Sequence, residues 1–260
     1  RAFFDELARR PQPIPVYAEM GSTNPVFVLP GALRARGEVI AAGLKQSVTQ
    51  GVGQFCTCPG LVIGVQDSSF AKLKESLAEL FRGVTPETML HPGILRNYKQ
   101  RLEELCDVPK VEIVQSVIAN DGKGVKATAA ILSTDANTFC AHSTLSEEVF
   151  GPATVLVGCP SPSELQQIAD GLGGNLTATI HGTPHDLIEF KSLISTLEKK
   201  VGRLIFNGFP TGLEVCPSIV HGGPYPATTD SRSTSVGTEA VKRFARPMCY
   251  QNFPPKELPP

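Results

Sequence analysis

Short aliphatic runs recur along the chain, and longer segments whose apolar positions fall three and four apart separate them. The first kind reads as buried strand and the second as amphipathic helix. Extended runs are predicted at residues 14–19 and 26–29, with the turn chemistry of Gly21-Ser22-Thr23-Asn24-Pro25 between them. Residues 33–49 read as a helix with Leu33, Val39, Ile40, Leu44 and Val48 on or near one face, stopped by Gly51-Val52-Gly53. A loop then carries residues 54–59. Beyond it come a strand at 61–65, a helix opened by Ser68-Ser69 and running to about 81, and another at about 94–106.

The alternation continues with strands at 111–117 and 126–132, a short helix capped by Asp135, and a strand at 153–158. Ser161 or Ser163 caps a helix to about 170, residues 176–181 form a strand, 186–200 an amphipathic helix ended by Gly202, and 203–206 the next strand. Strands separated by helices of this length need crossover connections. The expected class is therefore α/β, with three layers and a largely parallel sheet flanked by helices. Residues 208–230 are dense in Gly and Pro and read as a long ordered loop, followed by a helix near 237–244 and a strand-like piece at 248–253. At the other end, residues 1–10 place Phe3, Phe4 and Leu7 on one helical face with no cap ahead of them, as if the chain began inside a helix.

Composition narrows the function classes. A formal charge of -1 gives no general attraction to nucleic acid or to an anionic membrane. There is neither an apolar run of bilayer length nor a basic-then-apolar leader, so no membrane segment or secretion is expected. The seven cysteines are an odd number in a chain too large to need staples, which suggests reduced, mostly buried thiols and a cytoplasmic setting. Cys56 and Cys58 are too close in sequence for zinc-ligand spacing, and no second pair supports them, so no metal is expected. His181 and His185 flank Gly182-Thr183-Pro184, which no helix tolerates, and do not share a metal face.

Three segments could carry chemistry. In Gly53-Gln54-Phe55-Cys56-Thr57 a thiol sits on a loop between a helix end and a strand, where its sulfur and backbone N–H can both face a substrate. Glu19 ends an apolar run, where desolvation would suit a carboxylate to act as a base. Ser146-Glu147-Glu148-Val149-Phe150-Gly151-Pro152 sets two acids and an aromatic just before a strand. The remaining candidate is His221, alone in the long loop.

Taken in order, AEMGSTNP, GQFCT and EEVFGP resemble the glutamate, Gly-Gln-x-Cys and Glu-Glu-x-Phe-Gly-Pro motifs of the aldehyde dehydrogenase superfamily, and GRLIFN resembles the strand before its substrate loop. The resemblance spans essentially the whole chain. It departs at Ser22-Thr23, where many members have Gly-Lys. HGGPYPATTDSRSTSVGT looks like the branch of 2,5-dioxovalerate (α-ketoglutaric semialdehyde) and NADP-dependent fatty aldehyde dehydrogenases, and the former is preferred.

The resemblance implies a catalytic domain over residues 1–246 with its nucleotide-binding half missing upstream, a C-terminal oligomerisation arm over 247–260, and a dimer or tetramer when intact. It implies Cys56 as nucleophile forming a thiohemiacetal and then a thioester, Glu19 as base for the hydrolytic water, and NADP or NAD held at its nicotinamide end by Glu148 and Phe150. Phe55, Thr57 and His221 are then expected at the substrate, and Cys58 is structural. Without the other half the chain is expected to be inactive. Two other readings stay open: a cofactor-independent cysteine esterase or acyltransferase, and a non-catalytic oligomerisation module.

Overall fold

The computed structural model describes residues 2–116 and 124–259. In chain order its elements begin with α1 (Ala2–Ala8), β1 (Val26–Val28), α2 (Pro30–Thr49), β2 (Leu61–Val65) and α3 (Ser68–Arg82). Next are β3 (Glu87–Thr88), α4 (Pro92–Cys106), β4 (Glu112–Ser116), β5 (Lys126–Ala127), β6 (Ala130–Asp135), α5 (Ala136–Ala141) and β7 (Ala153–Cys159). The last are α6 (Pro162–Gly171), β8 (Asn175–His181), α7 (Pro184–Glu189), α8 (Lys191–Leu197) and β9 (Val201–Phe206). Val117, placed in a strand by the sequence pattern, lies outside the described residues.

Seven strands form one sheet in the order β4-β6-β7-β2-β1-β8-β9; β6 to β9 run parallel with β1 and β2, and β4 is antiparallel at the edge. The three-layer α/β expectation holds. Alternate side chains of one strand feed opposite layers: Val26 and Val28 pack with Leu44, Leu73 and Phe81 of α2 and α3, while Phe27 packs with Leu165, Ile168 and Leu193 of α6 and α8. Every residue of β7 and β8 is buried, as a sheet covered on both faces requires.

Several boundaries differ from the sequence pattern for identifiable reasons. Residues 14–19 form no strand, because only Glu19 meets a partner, Thr228, in an isolated bridge. The run at 126–132 splits into β5, paired with β3, and β6, paired with β4 and β7. Val39 is 68% exposed, since on the helical stretch after Arg36 it lies roughly 100° from Ile40, outside the stripe formed by Ile40, Leu44 and Val48. Asp67, not Ser68 or Ser69, caps α3 by accepting the Ser69 and Phe70 N–H groups at 2.8 and 2.9 Å. Residues 248–253 form no strand, and 238–244 are a 3₁₀ turn rather than an α-helix.

The predicted helix at 186–200 is two, α7 and α8, broken at Phe190. Asp186, 2% exposed, accepts N–H bonds from Thr183 (2.7 Å) in its own capping box and from Gly31 and Ala32 (both 3.0 Å) at the start of α2. One carboxylate thus closes two helix ends. Burial by itself would raise its pKa, but the N–H groups of Thr183, Gly31 and Ala32 outweigh that and hold it below the usual carboxylate range. Asp186→Ala should therefore lower stability by about 2–3 kcal/mol at neutral pH, read from urea midpoints. The deficit should be full above about pH 4 and shrink in acid, as the native carboxylate is protonated.

Candidate active site

The motifs gather at the amino ends of the central strands, since Glu19 precedes β1, Cys56 precedes β2 and Glu148 precedes β7. This is the end opposite to the crevice most parallel sheets use. The carboxyl end does carry a cavity of about 640 Å³, bordered by Lys74, Glu112 and Asp135, but it holds none of the motif residues.

Glu19 is held by the long loop, which lies beside residues 16–20. Thr229 N–H donates to Ala18 O at 3.0 Å, and Met20 N–H to Ala227 O at 2.7 Å. The same loop brings in His221, whose backbone N–H donates to Thr234 Oγ1 at 2.8 Å and whose carbonyl accepts Ser235 N–H at 2.8 Å. The Ser235 hydroxyl donates to Glu19 Oε1.

Cys56 stands just beyond a 3₁₀ turn, Gln50–Gly53. Gly53 has φ +64, and a Cβ there would lie 2.2 Å from the Gly151 carbonyl, so only glycine lets the second and third motifs touch main chain to main chain. Asn24 clamps the far side of the loop, donating from Nδ2 to the carbonyls of Cys56 (2.9 Å) and Cys58 (3.0 Å). Asn175 Oδ1 accepts Thr23 N–H at 2.8 Å and the Ser22 and Thr23 hydroxyls at 3.1 Å. The Ser22-Thr23 departure is thereby absorbed into a buried polar network behind Glu19. Asn24, Asn175 and Ser235 escaped the sequence reading; Asn24 and Ser235 lie inside segments it quoted, whereas nothing marked Asn175.

Three of the expected residues converge. His221 Nε2 lies 3.2 Å from Cys56 Sγ and 3.3 Å from Glu19 Oε2, and the three donor atoms fall within 4.8 Å of one another. The His221 ring is pushed up to about 9, first by its contact with Cys56, then by Glu19, against the cost of burial. Since that value exceeds the ring's usual 6.5, the stability it contributes is full below pH 6.5 and is lost as pH rises through about 9. The Glu19 carboxyl is held low, chiefly by His221, which outweighs the opposing effect of burial. Desolvation therefore does not govern Glu19 as its sequence position suggested; it is an anion stabilised by a cation.

Glu148 is the desolvated acid, with burial raising it to about 7 against the Ser22 N–H that it accepts. It borders a cavity of about 510 Å³ with Met20, Gly21 and Tyr225, and another of about 390 Å³ with Asn97, Tyr98 and Phe150. Phe150 is partly exposed at that second cavity. Two expected substrate contacts are less well placed: the Phe55 ring folds back over Gly51, and Thr57 is 3% exposed with its carbonyl toward the Thr211 hydroxyl. A buried Thr57 presents no open hydroxyl, and we assign it no substrate contact.

The cysteines also need correction, because Cys106, Cys140 and Cys249 are exposed rather than buried. Cys58 is buried, and burial pushes its thiol up to about 12. Burial also raises the Cys106 and Cys140 thiols, and among the described residues only Cys56 contacts a cationic ring. Brief iodoacetamide labelling with peptide mapping should find Cys56 at least ~10-fold faster than any other thiol. Equal labelling of Cys106 or Cys140 would remove the distinction.

A family model described as the aldehyde dehydrogenase family matches residues 6–225. The chain is 43% identical over 250 residues to alpha-ketoglutaric semialdehyde dehydrogenase 2 of Azospirillum brasilense, covering 96% of this chain and 47% of that protein. It is 42% identical over 258 residues to alpha-ketoglutaric semialdehyde dehydrogenase of Acinetobacter baylyi, covering 99% and 49%. The chain thus spans about half the length of the curated relatives it matches. Among solved structures it resembles an aldehyde dehydrogenase from Bacillus cereus (TM-score 0.72, 17% identity, 88% of this chain and 45% of that one). It also resembles proline utilization A from Bradyrhizobium japonicum (TM-score 0.76, 19% identity, 94% and 24%).

Proposed function

The chain belongs to the aldehyde dehydrogenase family, and on that premise we propose that it supplies the thiol, base and nicotinamide-end residues of an enzyme oxidising α-ketoglutaric semialdehyde to the acid. The observation that carries this reading is the convergence of Cys56, His221 and Glu19 from three separate segments. Cys56 Sγ, 3.2 Å from the His221 ring, attacks the aldehyde carbon to give a thiohemiacetal. Among the described residues the Cys56 N–H has no protein acceptor, so it is free to donate to the developing oxyanion. After oxidation to the thioester, Glu19 takes the proton of the attacking water and the thiolate leaves.

The oxidant belongs to NAD or NADP, which accepts hydride when bound. Glu148, half-buried and bordering two cavities, fits the ribose hydroxyls, and Phe150 fits the ring beside it. No Gly-x-Gly-x-x-Gly phosphate loop occurs in the sequence, so we propose that most of the nucleotide site lies on chain not present here and that these 260 residues alone are inactive. The exposed Met248, Tyr250 and Phe253 suit an arm that pairs with another subunit over 247–260. No helix among the described residues is long and apolar enough to cross a membrane; the reading of the seven cysteines as reduced thiols is what supports a cytoplasmic setting.

The esterase reading gains a Cys–His–Glu cluster but meets a geometric objection. In a relay triad the acid holds the ring nitrogen opposite the nucleophile, whereas here Cys56 and Glu19 meet the same Nε2. Assaying the nucleotide-binding form of the protein decides between them. Reduced nucleotide should form with α-ketoglutaric semialdehyde and not with aliphatic aldehydes at comparable kcat/KM, and ester cleavage without nucleotide should be slower. Ester cleavage matching the best aldehyde turnover would reverse the assignment.

A further inference from the structure

Sequence spacing excluded a metal, yet the fold assembles three metal-binding donor types at one point. We infer that Cys56, His221 and Glu19 form a reversible zinc site whose occupancy switches the nucleophile off. Zinc bound tetrahedrally to sulfur, imidazole and carboxylate holds those donors about 3.3–3.6 Å apart, given its usual bond lengths. The contacts at His221 Nε2 are 3.2 Å to Cys56 Sγ and 3.3 Å to Glu19 Oε2, and all three donor atoms lie within 4.8 Å of one another, so side-chain adjustment that draws Cys56 and Glu19 around the ring nitrogen admits the ion.

The surroundings are those of a ligand set. The Ser235 hydroxyl holds Glu19 Oε1 and leaves Oε2 turned to the other two donors, the second-shell arrangement that orients metal-bound carboxylates. His221 is 5% exposed and backbone-anchored through Thr234, while Cys56 is open to solvent, which leaves the fourth position for water. Thiolate and imidazole favour zinc or cobalt over magnesium or calcium. On binding, the sulfur lone pair forms the bond to zinc, and the proton shared between Sγ and Nε2 passes to solvent. No electron is transferred, and a chelator reverses the step.

Binding rests on geometry alone; inhibition rests also on the reading of Cys56 as nucleophile. The test therefore begins without turnover. Cobalt chloride added to the purified protein should give the visible bands of a tetrahedral ion and a sulfur-to-cobalt charge-transfer band, at one ion per chain, and zinc chloride should displace them. Zinc should also suppress Cys56 alkylation, magnesium should not, and EDTA should restore it. His221→Asn and Glu19→Gln should each weaken zinc binding by at least ~10–100-fold. An octahedral cobalt spectrum, absence of the sulfur band, or zinc affinity within twofold of the original in His221→Asn would overturn the site, the last by showing thiol chemistry alone. Tetrahedral binding with unimpaired aldehyde oxidation would uphold the site and instead refute Cys56 as nucleophile.

Discussion

Cys56→Ser in the nucleotide-binding form of the protein should reduce aldehyde oxidation by ~10⁴-fold or more, since an alcohol of nearly the same size lacks the accessible anion that attacks the carbonyl. The neighbouring polar network is fixed by main-chain carbonyls that the exchange leaves untouched, so the fold should survive. A second readout separates chemistry from structure. Contact with Cys56 is the largest cause of the His221 ring's rise to about 9, so in Cys56→Ser that ring should titrate closer to its ordinary 6.5. NMR of the imidazole protons measures it. An unmoved ring with lost activity would mean that the sulfur does not face His221, and the proposed pairing would fall.

Glu19→Gln should slow steady-state turnover by ~10²–10⁴-fold, the usual range for a positioned general base. Its acting after the redox step has a kinetic consequence: the pre-steady-state burst of reduced nucleotide should persist while thioester accumulates on Cys56, visible by mass spectrometry of rapidly quenched protein. The exchange keeps an acceptor for Ser235 but removes the charge opposite His221. A burst that shrinks in step with turnover would assign Glu19 to activation of the thiol.

Periodicity made the buried strands legible because β2, β7 and β8 sit under helices on both faces and have no polar side to blur the run. It failed where pairing partners decide the outcome. Nothing in residues 14–19 says that a single bridge to Thr228 replaces a strand, and nothing local says that Asp186 belongs to α2 as much as to α7. The site was legible as motifs, and Cys56 and Glu19 could be named from them. The role of His221 was not, because a lone histidine in a loop acquires meaning only when the fold brings it 165 positions back to a thiol. Asn175 was illegible for the same reason: its acceptor gathers Ser22 and Thr23 across the sheet.

The main-chain contact between Gly53 and Gly151 ties the thiol loop to the segment that carries Glu148 and Phe150. Two backbones touching without intervening side chains behave as a rigid joint, because there are no rotamers to absorb displacement. Contact at this point restricts how far the thiol loop and the Glu148 segment can move relative to one another, whatever is substituted around the rim. Separating the two segments requires moving the joint, since at Gly53 even one methyl group would overlap the opposing carbonyl at 2.2 Å. A change at Gly53 is therefore felt in both motif segments at once.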